Sequence, residues 1–343
     1  MGVFRTPGVD VNDTTSSAGE LSGEQLMTMY KSMVLQRRFE EEAGRNYGMG
    51  RIYGFCHLYI GQEAISTGCA MAMQPADVMV SAYRIHAQAL AMGIPPQEVM
   101  DELFGRATGN VHGVGGSMHM YDVDRGFLGG WGLVGQQVPM ATGFAFSQKY
   151  KETGGVTLAF FGDGALNQGA IHESFNMAAI WNLPIVFVVE NNGYGMGTAV
   201  SRVCSVDPMH KLGDSYGMKN FAFDGMDVLA SYEAFHSAIE HARAESKPVF
   251  LEARCSRFRG HSMSDPGKYR TKEQLEDEKS RDPIPRLAST LKDKGLATDD
   301  ELTAIDKETR EEMKQTAKRS GDAPWPDPEL IDKYVYVDPI HPN

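Results

Sequence analysis

Apolar positions along this chain follow two periods, and the clearest switch between them lies at residues 156–192. VTLAFFGDG is a continuous apolar run, rich in β-branched and aromatic residues, that stops at Gly162-Asp163-Gly164. LPIVFVVENN is a second run, rich in Val and Ile, that stops at Asn191-Asn192. Between them Ile171, Phe175, Ala178 and Ala179 recur at helical spacing. A strand, a helix and a strand within roughly 30 residues make a βαβ unit, whose two strands lie parallel. Their carboxyl ends leave the sheet on one edge, where open α/β folds bind ligands. The expected fold class is therefore α/β, a mostly parallel sheet flanked by helices, with helical extensions at both ends.

The rest of the chain supplies the flanking elements. Ser22 and Gln25 form a capping box, and Leu26, Met29, Tyr30, Met33 and Val34 mark a helix with one buried face. Its far end, residues 37–42, is charged and expected in solvent. GFCHLYIGQEA (54–64) reads as a loop entering a helix that runs to about Met73. DVMVSAYR (77–84) reads as a short strand ending in Tyr83-Arg84, with two helical segments after it, divided at Pro95-Pro96. Residues 105–135 are dense in glycine, which permits close backbone approach to a ligand or a partner chain. A helix over 138–150 leads into the central unit, and 193–217 is a long loop of the kind that is functional or mobile. FAFDG (221–225) and PVFLEAR (248–254) read as strands around a helix over 229–245. The second of them runs into CSRFRGHSMSDPGKYRT (255–271), which has the composition of an active-site loop. The expected organisation is a loose arm at 1–21, one domain over 22–335 and a tail at 336–343.

Composition narrows the class. The 343 residues suffice for a large core. Their formal charge of −12, with no long basic block, makes nucleic acid and anionic membrane poor partners. The longest apolar runs are strand-sized, so no membrane span is expected. Cys56, Cys69, Cys204 and Cys255 form no C-x-x-C pair and suit a reducing compartment. Residues 1–20 have neither the apolar core of a signal peptide nor the basic character of a transit peptide. A cytoplasmic enzyme is the expectation.

Candidate chemistry gathers at the strand ends. The central unit sets the Asp163 carboxylate near the Asn192 side chain, with the N-terminus of a helix opening after Gly164 aimed at the same spot. Carboxylate, amide oxygen and helix N-terminus together suit a hard cation carrying a phosphate, here Mg2+ with a diphosphate. Arg84 is a suitable bidentate phosphate ligand. Glu63, close to a helix start, reads as a cap or surface residue. His57, taken alone, has the setting of a structural histidine. Gly130, Gly132 and Gly135 satisfy the dinucleotide spacing G-x-G-x-x-G, but DVDRGFLGG before them reads as no strand, which the fingerprint requires.

GDG, 26 residues and then NN resembles the thiamine diphosphate motif. ENNGYGMGT, GFCHLYIGQEA, GGSMHMY and RGHSMSDP resemble the alpha subunits of the pyruvate dehydrogenase family over about residues 24–335. That resemblance implies thiamine diphosphate and Mg2+ as cofactors, with Asp163, Asn192 and the Tyr194 carbonyl as metal ligands. It implies that Tyr83, Arg84, Gly164, Ala165 and His261 hold the cofactor, with Gly132 and Val134 contributing main-chain groups. Phe55 and His57 would border the substrate and the cofactor, His57 among the cofactor-binding residues, and His57 and His261 are the implied catalytic residues. Trp131 stands where the family usually has Asn or His. Of three serine positions phosphorylated in eukaryotic members, Ser262 matches one, Ala199 replaces a second, and the third is absent at Lys268-Tyr269.

The implied activity is oxidative decarboxylation of pyruvate, with the acetyl group passed to a lipoyl-bearing acyltransferase. The glutamate that activates the cofactor would come from a beta subunit, in a heterotetramer of two alpha and two beta chains. A branched-chain 2-oxo acid or acetoin dehydrogenase is the alternative within the class. A non-catalytic cofactor-binding subunit and a self-contained nicotinamide dehydrogenase are the alternatives outside it.

Overall fold

A computed structural model describes residues 21–333; most of the expected arm and the whole tail at 336–343 lie outside the described residues. The strands are β1 (Val78–Ser81), β2 (Phe127–Gly130), β3 (Thr157–Gly162), β4 (Ile185–Asn191), β5 (Tyr194–Gly195), β6 (Thr198–Ala199), β7 (Lys219–Asp224) and β8 (Val249–Arg254). Six form one sheet in the order β2-β1-β3-β4-β8-β7, with every neighbouring pair parallel. β5 and β6 make a separate antiparallel hairpin.

The helices are α1 (Gly23–Gly48), α2 (Glu63–Ala72), α3 (His86–Ala91), α4 (Pro96–Leu103), α5 (Gln137–Tyr150), α6 (Gly169–Ile180), α7 (Val228–Glu245), α8 (Lys272–Lys279), α9 (Pro283–Asp293) and α10 (Asp299–Asp322). The Ser22–Gln25 capping box opens α1 as expected.

The central unit forms as its pattern predicts. β3 pairs with β4 in unbroken parallel register from Thr157 opposite Ile185 to Gly162 opposite Glu190. These strands read as continuous apolar runs because both faces of the sheet are covered. Leu158, Phe160, Val186 and Val188 face one core, shared with Phe235 and Ile239 of α7. Ala159, Phe161, Ile185, Phe187 and Val189 face the other, shared with Ala141 of α5 and Phe175 of α6. Burying each Phe contributes on the order of 1.5–3 kcal/mol. α2 and α7 approach closely because Gly68 has no side chain; a Cβ there would lie 2.7 Å from Ser231 Cβ.

Four expectations need correction. The end of α1 is not simply solvated, since Arg37 and Glu40 are buried. Glu63 is fully buried, held by Arg37 at 2.5 and 3.0 Å, because that guanidinium needs a charged partner inside the fold. Residues 163–165 form a 3-10 turn and α6 opens only at Gly169, so the helix N-terminus stands further along the chain than predicted. Residues 127–130 do form a strand, an edge strand drawn into place by pairing with β1 in spite of its two glycines. The dinucleotide fingerprint therefore has its strand, but at the sheet edge, whereas the nucleotide-binding turn follows an internal strand.

Candidate active site at the carboxyl ends of the sheet

Parallel register delivers four strand ends to one edge. β1 leads into Tyr83-Arg84, β3 into Asp163, β4 into Asn192, and β8 into Arg257 and His261. The segments are bonded to one another there. Arg84 donates to the carbonyl oxygens of Leu58 at 2.6 Å and His261 at 2.7 Å, joining the loops on either side. Asn192 Nδ2 donates to Gln62 Oε1 at 3.1 Å, and Arg257 donates to Asn192 Oδ1 at 3.2 Å. The rings of His57, Tyr83 and His261 form a cluster, with centroids 4.5 Å (His57–Tyr83), 5.2 Å (His57–His261) and 5.6 Å (Tyr83–His261) apart. Phe55 stands at its rim, 65% exposed and 6.5 Å from the His57 ring.

Electrostatically the site is short of partners. Asp163 is buried, and Gly164 N–H donates to its Oδ1 at 2.8 Å, while Oδ2 is buried without a hydrogen bond. Burial pushes its pKa up to about 6 against the opposing effects of that bond and of Arg257. Arg84 and Arg257 are buried too, and their hydrogen bonds go to carbonyl, amide and phenol oxygens rather than to carboxylates. Burial first and the neighbouring Arg257 second lower Arg84 to about 10. His57 falls to about 3 and His261 to about 4, chiefly through burial and then through Arg84. Both imidazoles are therefore neutral near pH 7, and each has a buried Nδ1 with no partner. Glu190, on β4 beside the site, is pushed up to about 7 by burial although Tyr59 donates its hydroxyl hydrogen to it.

The remaining predicted residues are placed as follows. A Cβ at Gly164 would lie 3.2 Å from Gly195 Cα, so the turn after β3 touches the hairpin that begins at Tyr194. Ala165 is buried in the core under α6. Gly132 packs against His119, where a Cβ would lie 3.1 Å from the ring. Val134 is exposed, and its segment is tied to β1 by the Trp131 N–H donating to Ala82 O at 3.1 Å. Sequence reasoning had passed over Arg257 and Gln62 as site residues. Both had a visible signal: each lies in a string already singled out, within five residues of a candidate histidine.

The donor set fits a hard cation with an anionic group. An orphaned carboxylate oxygen, an amide oxygen and a nearby main-chain turn offer oxygens, and two buried guanidinium groups offer unmatched positive charge. Among the described residues no three His, Cys, Asp or Glu side chains cluster as a metal site, so a cation here would be held by mixed oxygen donors. Also among the described residues, no helix is long and apolar enough to cross a membrane.

Residues 31–329 match the family model described as dehydrogenase E1 component. This chain belongs to that family. It is similar to the protein named pyruvate dehydrogenase E1 component subunit alpha from Rickettsia bellii, 46% identical over 314 residues, covering 92% of this chain and 96% of the relative. The protein of the same name from Rhizobium meliloti is 48% identical over 309 residues, covering 90% and 89%. Its namesake from Porphyra purpurea is 39% identical over 337 residues, covering 96% and 98%.

Proposed function

We propose that this chain is the alpha subunit of a pyruvate dehydrogenase, catalysing thiamine diphosphate-dependent decarboxylation of pyruvate. The observation that carries the reading is likeness at 39–48% identity to pyruvate dehydrogenase alpha subunits along nearly the whole of both chains. The strand-end geometry supports it independently. Asp163, Asn192 and the Tyr194 carbonyl would hold Mg2+, and Arg84 and Arg257 would receive the diphosphate. Asn192 Oδ1, now accepting from Arg257, would exchange that bond for the cation.

When bound, thiamine diphosphate supplies the nucleophilic carbon and the electron sink for loss of CO2. The protein's own part is binding, orientation and control of protonation. Neutral His57 and His261, with free Nδ1 atoms, are able to donate to or accept from an anionic substrate or product without carrying charge themselves. Tyr83 packs against both rings, tilted to His57 and edge-on to His261. Phe55 and Gly132-Val134 would border the open side. On this reading residues 22–335 work as one domain, and a beta subunit supplies the activating glutamate within a heterotetramer of two alpha and two beta chains. The acetyl group then passes to the lipoyl arm of an acyltransferase.

Assaying this chain with its beta partner on pyruvate, 2-oxoisovalerate and acetoin tests the proposal. Pyruvate should be preferred; preference for either rival moves the chain to another substrate. The chain alone should give no turnover, and measurable activity without a partner would defeat the shared-site reading.

A further inference from the structure

Among the glycines of residues 109–116, Gly109, Gly113 and Gly115 are packed tightly against the chain itself. Their segment wraps one of the chain's own carboxylates. Glu102, fully buried at the end of α4, accepts four backbone N–H groups. Val111 and Gly113 donate to Oε2 at 2.9 and 2.8 Å, and Gly115 and Gly116 to Oε1 at 2.8 and 2.9 Å. The winding demands glycine: a Cβ on Gly109 would lie 2.4 Å from Glu102 Oε2, and Gly113 has φ +78° with Arg106 O 2.7 Å from its would-be Cβ.

The next residues carry this order towards the site. Ser117 Oγ lies 2.8 Å from His86 Nε2, and His86 Nδ1 lies 2.8 Å from Glu40 Oε2, all buried. Two residues further, His119 reaches the Gly130 carbonyl at 3.3 Å and backs Gly132. Gly130 N–H in turn donates to Met120 O at 3.1 Å.

We propose that Glu102 is a positioning residue: its carboxylate templates residues 111–116, which through His119 and Met120 seat the Gly130–Val134 segment against the cofactor. The last step rests on the assignment of Gly132 and Val134 as cofactor-facing, made above. The argument is one of charge and geometry. Four charge-assisted bonds to one buried anion hold a segment whose glycines would otherwise leave it conformationally free.

The test uses the full-length chain co-expressed with its beta partner, carrying Glu102→Gln. The amide presents two hydrogens where the carboxylate accepted two, so one pair of backbone donors loses its acceptor. Hydrogen exchange should accelerate at 111–116 and also at 130–134. Thiamine diphosphate-Mg2+ should bind about tenfold or more weakly. His119→Ala, which leaves Glu102 intact, should accelerate exchange at 130–134 alone, and it decides the matter if the Glu102 variant does not fold. Acceleration confined to 111–116 with unchanged cofactor affinity, or a His119→Ala protein whose 130–134 exchange is unaltered, overturns the positioning role. A wild-type complex that binds no thiamine diphosphate overturns the functional reading instead, and the exchange comparison still decides whether Glu102 governs 130–134.

Discussion

Two buried charge centres of this molecule contain arginine and carboxylate, and they are built differently. At the first, Arg37 is bonded to Glu63 at 2.5 and 3.0 Å and to Asp282 at 2.8 and 3.1 Å, so that α1, α2 and the start of α9 share one guanidinium. Glu63 Oε2 also takes the Gly61 N–H, and Asp282 Oδ1 the N–H of Ile284. Although burial favours the neutral form of Arg37, its two carboxylates outweigh that and hold its proton more firmly than in water. At the second centre Arg84 and Arg257 have no carboxylate hydrogen-bonded to them, and Asp163 keeps a buried oxygen with no partner at all. A completed buried network holds elements together; an incomplete one is affordable only where something else completes it.

The largest expected contrast comes from removing one carboxylate at each centre. Asp163→Ala should abolish thiamine diphosphate-Mg2+ binding by calorimetry without lowering the denaturation midpoint of the cofactor-free protein. Unchanged cofactor affinity would refute the site. Glu63→Ala should instead destabilise by up to roughly 3–5 kcal/mol, because it leaves the buried Arg37 guanidinium with Asp282 alone. Denaturant unfolding of the two variants side by side would erase the distinction if they lost stability equally.

Arg257→Lys should retain the fold and weaken cofactor binding about tenfold or more, since an ammonium cannot reproduce the forked contact. Full affinity in that variant would remove Arg257 from the phosphate site. The smallest effect is on pH dependence. His57 and His261 are held at about 3 and about 4, below the ordinary 6.5 of the unfolded chain. The unfolded state therefore takes up protons first as pH drops. Their contribution to stability should be fully present above about pH 6.5 and lost progressively towards pH 3–4. Histidine NMR of the cofactor-free protein checks this, and titration of either ring near 6.5 would contradict the burial argument.

The sheet and its candidate ligand-binding edge were legible because they are written locally. Central parallel strands buried on both faces read as unbroken apolar runs, and Gly162-Asp163-Gly164 and Asn191-Asn192 mark where those runs end. The resemblance of the surrounding strings then singled out Tyr83, Arg84, His57 and His261, which the fold does bring together. What stayed hidden depends on distant partners. Nothing near Glu63 announces Arg37 and Asp282, which lie 26 residues before it and more than 200 after it. No local pattern marks Glu102 as a template, and the glycines it holds read as permitting close approach of a ligand or partner chain. β2 was missed because its strand character comes from β1 rather than from its own Phe-Leu-Gly-Gly sequence.

The parallel arrangement that gathers four strand ends also sets when the site comes into being. Residues 84 and 261 are bonded across 177 positions of chain, and Asn192 is bonded across 130 positions to Gln62 and across 65 to Arg257. A nascent chain emerging from the ribosome could present Asp163 and Asn192 long before it owned Arg257 or His261. Cofactor capture should therefore be a late event in biogenesis, gated by closure of long loops rather than by formation of the βαβ unit. Vitamin supply would then act on the yield of the mature protein as well as on its turnover, because a ligand that binds only the finished fold draws the folding equilibrium towards it.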